Sequence, residues 1–253
     1  MKKATRFASV VLAAVLTFSL AGCGSSDAGT SSTQSSKNSS GKTYTIGICQ
    51  LVQHEALDAA TQGFKDALTD KLGDNVKFDE QNAAGDAPTC STICTTFATN
   101  NYDLILGNAT AALQAATAAT DTIPVLGTSI TDYATALDVS DWTGTTGRNI
   151  SGTTDLAPLD QQAKCIAELF PDAKNVGILY CSSEPNSIYQ STTITKYLKD
   201  EGYTVKEYTF SDSNDVASVT QSACDNSDVI YIPTDNTAAS CTEAVSYTHL
   251  RAH

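Results

Sequence analysis

From Tyr44 onward the chain alternates short apolar runs, rich in β-branched residues, with polar turns and longer stretches of helical periodicity. Residues 45–49, 103–106, 123–126, 176–180 and 229–232 are too short for helices and nearly continuous in apolar character. That combination predicts strands buried on both faces, as in a parallel sheet covered by helices. Residues 56–72, 89–99, 111–120, 159–170 and 187–201 carry apolar positions at helical spacing and predict the helices between them. Residues 76–80 and 204–210 alternate apolar with polar and predict edge strands.

The pattern repeats. Ile46, Val76 and Leu104 mark three strands in the first half, and Val176, Val205 and Val229 mark three at matching spacing in the second. Two such βαβαβ halves predict an α/β protein of two doubly wound open-sheet lobes, residues 44–150 and 151–244. The short β-prone segment 149–153 is the natural crossover between them. In open α/β sheets ligands sit beyond the carboxyl ends of the strands, so two lobes joined by a hinge aim their loops at one shared cleft.

The segment before the body is of another kind. Residues 1–22 begin with Lys2, Lys3 and Arg6, continue as an apolar run too short for a comfortable membrane span, and have the layout of an export signal. Leu20-Ala21-Gly22-Cys23 resembles the bacterial lipoprotein box, which implies lipidation of Cys23 and a place on the outer face of the cytoplasmic membrane. Residues 24–43 are almost wholly Gly, Ser, Thr and other small polar residues and read as a flexible tether. The net charge is −13, with 28 acids against 15 bases. An acidic excess of this size argues against a nucleic-acid partner and against charge-driven binding to anionic lipid.

The loops at the predicted strand ends carry the candidate chemistry. They read Gly47-Ile48-Cys49-Gln50-Leu51-Val52-Gln53-His54-Glu55-Ala56-Leu57-Asp58, Gly107-Asn108-Ala109-Thr110, Gly127-Thr128-Ser129-Ile130-Thr131-Asp132, Ser182-Ser183-Glu184-Pro185-Asn186-Ser187 and Ile232-Pro233-Thr234-Asp235-Asn236-Thr237. In this order and spacing they resemble the ABC-transporter substrate-binding lipoproteins whose characterised members bind tryptophan or tyrosine. The resemblance covers residues 44–244. It implies the type I periplasmic-binding fold, capture of a small solute by hinge closure, and hand-over to a membrane permease driven by a cytosolic ATPase.

Three of these loops precede predicted helices, whose free N–H groups and positive dipole end suit a carboxylate. Asp132, Glu184 and Asp235 are the candidates to hold an ammonium, so a zwitterionic amino acid fits the cleft. Gln50, His54, Leu57, Asn108, Ala109, Thr110, Ser129, Asp132, Ser183, Glu184, Asn186, Ser187, Asp235 and Asn236 form the expected ligand-binding set, with Leu57 and the backbone around Ala109 lining the pocket for the solute's side chain and His54 stacking on it or donating to it. Asn108, Thr110, Ser187 and Asp235 are equally suited to plain helix capping, and Asp132 to a turn facing water. A protein that uses the same bilobed fold to signal through a membrane receptor is the alternative reading.

With Cys23 assigned to lipid, seven Cys remain, an odd number at wide spacing that does not describe a disulfide framework. Cys90 and Cys94 lie four apart on one predicted helix, where a cross-link constrains little, and mostly free thiols are expected. No Gly-x-Ser-x-Gly, Gly-x-Gly-x-x-Gly or His-Glu-x-x-His pattern occurs, so neither catalysis nor a cofactor or metal is expected. Residues 245–253 depart from the family pattern and resemble a translated adapter sequence, which predicts a non-native tail and a second lobe cut short.

Overall fold

The computed structural model describes residues 41–251. The expected export segment, Cys23 and nearly all of the tether lie outside the described residues, as do the last two residues of the chain. The first half builds β1 (Tyr44–Gln50), α1 (Glu55–Leu72), β2 (Val76–Asn82), α2 (Ala87–Thr99), β3 (Leu104–Asn108), α3 (Thr110–Ala119), β4 (Val125–Ile130), the single-turn α4 (Tyr133–Ala136) and β5 (Ile150–Thr154). The second builds α5 (Leu159–Leu169), β6 (Asn175–Cys181), α6 (Pro185–Asp200), β7 (Thr204–Phe210), α7 (Val216–Asn226), β8 (Val229–Tyr231), α8 (Asn236–Ser240) and α9 (Thr242–Arg251). Among the described residues no helix is long and apolar enough to cross a membrane.

Two parallel sheets result, ordered β2-β1-β3-β4-β5 and β7-β6-β8. Both start from the same three-strand arrangement, with β1 and β6 at the centre of their respective triplets. These two strands run buried for several consecutive residues, whereas β2 and β7 carry exposed positions along their length. Helices cover both faces of each sheet. Phe97, Leu113 and their neighbours pack on one side of the first sheet, and Ile46, Ile48 and Leu106 meet Phe64 and Leu68 of α1 on the other. The second sheet buries Val176, Ile178 and Tyr180 towards α5 and α6, and Leu179 and Cys181 towards α7.

Two glycines set how closely helix and sheet approach. A Cβ at Gly47 would lie 2.5 Å from the Phe97 ring, and one at Gly107 would lie 2.7 Å from the backbone of Leu113. At Gly107 the obstruction is backbone, so α3 sits on β3 only because no side chain intervenes.

The structure departs from the sequence reading in several places. Helix α7 was not expected: its Ser/Thr/Val-rich sequence has weak helix propensity, yet Val216, Thr220 and Ala223 recur on one buried face. Strand β4 begins and ends later than residues 123–126, because Pro124 offers only its carbonyl, to Ile105 N. Helix α2 starts at Ala87, where Asp86 caps the N–H of Thr89 and Pro88 fills the first turn. Finally, β5 begins at Ile150 and pairs with β4, so the segment expected as the crossover is a strand of the first sheet. The chain then passes from the carboxyl end of β5 through residues 155–158 into α5 and on to the second sheet.

Candidate ligand-binding site

Among the described residues, side-chain hydrogen bonds join the loops after β1 and β4 to the start of α8 and to α6. His54 Nε2 lies 3.4 Å from Asn236 Oδ1, and Gln190 Nε2 donates to Thr131 Oγ1 at 3.2 Å. A cavity of about 370 Å³ opens beside the first, lined by His54, Ala56, Pro233, Asn236 and Ala239 among others.

On the first sheet, the expected residues are bound to one another. Gln50 is buried and donates to Val52 O and Asp58 Oδ1, while its Oε1 accepts from Thr61 Oγ1. Asn108 is fully buried at the end of β3, with Nδ2 donating to Leu57 O at 2.9 Å and Thr61 Oγ1 at 3.0 Å. Because a backbone carbonyl can only accept, Leu57 O fixes the orientation of this amide. Asn108 Oδ1 then remains without a partner among the described residues. Leu57 is itself buried in the core beneath the loop.

Next to Asn108, Ala109 has φ 84° and ψ 160°, a conformation that belongs to glycine. Its N–H donates to Thr128 O, and no side chain caps α3, which begins at the buried Thr110. The first N–H groups of that helix thus keep their donor capacity. Ser129, half-buried at the end of β4, also has a positive φ of 57°. Two strained residues on neighbouring strand ends mark the stretch of wall where local backbone preference was overruled.

The wall on the second sheet has the opposite character. Glu184 is buried, and its two oxygens accept from Asn186 Nδ2, Asn236 N and Nδ2, and Thr237 N and Oγ1. Asp235, also buried, accepts from Cys181 N, Ser187 Oγ and Ala238 N. Burial first, then the charge of Glu184, raises the Asp235 carboxyl to about 6. The start of α8 is therefore already neutralised by two carboxylates of the protein, and Asn186 Nδ2 ties the same loops together through Thr234 O. Ser183 is exposed and hydrogen-bonds Ser211 O, within its own sheet's loops.

Asp132 differs from these two acids. Its Oδ1 caps α4 by accepting from Thr135 N and Oγ1, and Oδ2 makes no hydrogen bond among the described residues. It lies across from Tyr189 of α6, whose phenol is raised by burial and, secondarily, by the Asp132 charge.

Three residues that sequence reasoning passed over belong to this region. Asp155 follows β5, its N–H donates to Ile130 O, and burial raises its carboxyl. Gln190 is buried one helical turn beyond Asn186, and besides Thr131 it holds Thr234 through both N–H and carbonyl. Tyr189 is its neighbour. The only signal in the sequence was the polar face that Asn186 and Gln190 share on α6. Among the described residues no group of three His, Cys, Asp or Glu side chains is arranged to hold a metal.

The family model for ABC transporter substrate binding proteins matches residues 45–251. A tyrosine-binding protein of Clostridioides difficile is 39% identical over 250 residues, covering 97% of this chain and 72% of that protein. A solved ABC domain from Streptococcus pneumoniae in complex with L-Trp is 34% identical, with a TM-score of 0.77 over 82% of this chain and 71% of that one. The ligand-free, open structure of a substrate-binding protein with adhesive properties from Clostridium difficile is 37% identical, covers 83% of this chain and 72% of that one, and gives a TM-score of 0.57.

Proposed function

Because the chain belongs to the ABC transporter substrate-binding protein family, we propose that it captures an aromatic amino acid between its two sheets and presents it to an importer. The observation that carries this reading is the asymmetry of the two walls. The α3 start on the first sheet is uncapped, whereas α8 opposite is closed by Glu184 and Asp235. A solute carboxylate is therefore received at Asn108-Ala109-Thr110, and its ammonium by Asp132 together with Asp155 at the adjoining strand ends. His54 and Tyr189 offer flat faces to an aromatic side chain. The relatives that bind tyrosine and carry tryptophan support that choice of side chain.

At similar identity and coverage, the chain superimposes better on the tryptophan complex than on the ligand-free, open relative. This supports a closed arrangement, held by the Gln190–Thr131 and His54–Asn236 contacts, as the state that ligand selects and a permease, powered by a cytosolic ATPase, recognises. The two lobes then move about the passage 155–158 that follows β5. Cys23, in its lipoprotein box, anchors the protein to the outer face of the membrane. Thermal denaturation with added amino acids tests the reading: tyrosine or tryptophan should raise the midpoint in a concentration-dependent way. No shift with any amino acid at millimolar concentration would overturn the substrate class.

A further inference from the structure

Cys49 near the end of β1 and Cys90 and Cys94 on successive turns of α2 meet in the core of the first sheet, each with 0% exposure. The Cys49 thiol neighbours both others in this cluster. Cys94 Sγ also turns towards Ala112 O on α3, 4.0 Å away. Cys90 has the Cys49 thiol as its side-chain partner. Among the described residues the three are not arranged as metal ligands. A bridge within α2 would join residues one turn apart and constrain little, but a bridge from β1 to α2 would close a loop of about forty residues.

We infer that Cys49 and Cys90 are a redox pair, joined as a disulfide that staples α2 to the central strand when the chain folds in the presence of a disulfide oxidant. The family's extracytoplasmic place is where such bonds persist. The step is thiol–disulfide exchange. One cysteine thiolate attacks a sulfur of the oxidant disulfide and releases one oxidant thiol; the second then attacks the mixed disulfide and releases the other. Two protein thiols lose two electrons and two protons, and the oxidant disulfide gains both to become two thiols. In the folded core the contacts among the thiols, and burial after them, hold Cys49 and Cys90 as neutral thiols, which do not attack disulfides, so the bond forms before α2 docks and is afterwards shielded from reductant.

The full chain, unfolded and refolded in a glutathione redox buffer, then denatured and alkylated, decides the matter by intact mass and peptide mapping. The expected result is two fewer alkyl labels than on fully reduced protein, with a cross-linked peptide joining Cys49 to Cys90. The bridge should vanish in Cys90→Ala and persist in Cys94→Ala and Cys165→Ala. The bridged protein should also unfold at higher urea than the reduced one, and dithiothreitol should open it only in denaturant. Complete labelling after oxidative refolding, or a bridge that uses Cys94 or Cys165, would overturn the pair. Should Cys90→Ala fail to fold, the wild-type peptide map alone gives the answer.

Discussion

Asp132 and Asp155 follow the carboxyl ends of adjacent strands, and Asp132 Oδ2 makes no hydrogen bond among the described residues. Asparagine at either position keeps size and capping ability while removing charge. Because a hydrogen bond to a charged group is worth about 1.5–3 kcal/mol, Asp132→Asn or Asp155→Asn should weaken amino-acid binding roughly 10- to 100-fold. Isothermal titration measures the loss, and the urea midpoint of the ligand-free protein should hardly move. Unchanged affinity in both variants would remove the acids from the ammonium site.

Asp235 makes a prediction of a different kind. Its carboxyl is raised from 3.8 to about 6, so between those values the native protein holds a proton that the unfolded chain releases. Stability from this group therefore grows as pH falls through 6 and is complete below 3.8; at neutral pH its charge is a cost. The urea midpoint of the ligand-free protein should rise between pH 7 and pH 5, and Asp235→Asn should flatten that rise. In the sequence Glu184 and Asp235 were indistinguishable from Asp132 as ammonium partners. What separates them is the set of N–H groups each meets, and those come from residues such as Cys181 that are far away along the chain.

The helices and strands were largely legible, because continuous apolar runs bounded by polar turns have few other readings in a chain of this length. Helix α7 escaped because its buried face is built from Val216, Thr220 and Ala223, only two of them apolar. The loop before α3 shows the reverse case, where local preference is overridden. Ala109 occupies a backbone region that costs a non-glycine residue on the order of 1–3 kcal/mol. Part of that is offset in a Gly variant by greater freedom of the unfolded chain. Ala109→Gly should accordingly stabilise the ligand-free protein by up to about 1 kcal/mol, read from chemical denaturation. Destabilisation of similar size would mean that the lost methyl packing in the core outweighs relief of strain.

At the level of the two sheets together, the Gln190–Thr131 hydrogen bond ties the end of β4 to α6. Thr131→Val preserves shape and removes the acceptor. The ligand-free variant should shift towards an open arrangement, visible as a larger radius of gyration by small-angle scattering, with ligand affinity reduced several-fold. An unchanged radius would assign closure to other contacts.

Two parallel sheets and most of their helices follow from apolar periodicity, a local property of the chain, and the loops at the strand ends carry the family resemblance. Which polar groups remain available to a ligand was decided only on folding. Asn108 and Gln50 are joined through Thr61, and Glu184 reaches a helix some fifty residues further on. Hydrogen-bond satisfaction depends on partners brought together by the whole fold. The same holds for Cys49 and Cys90, whose contact exists only because α2 packs across β1.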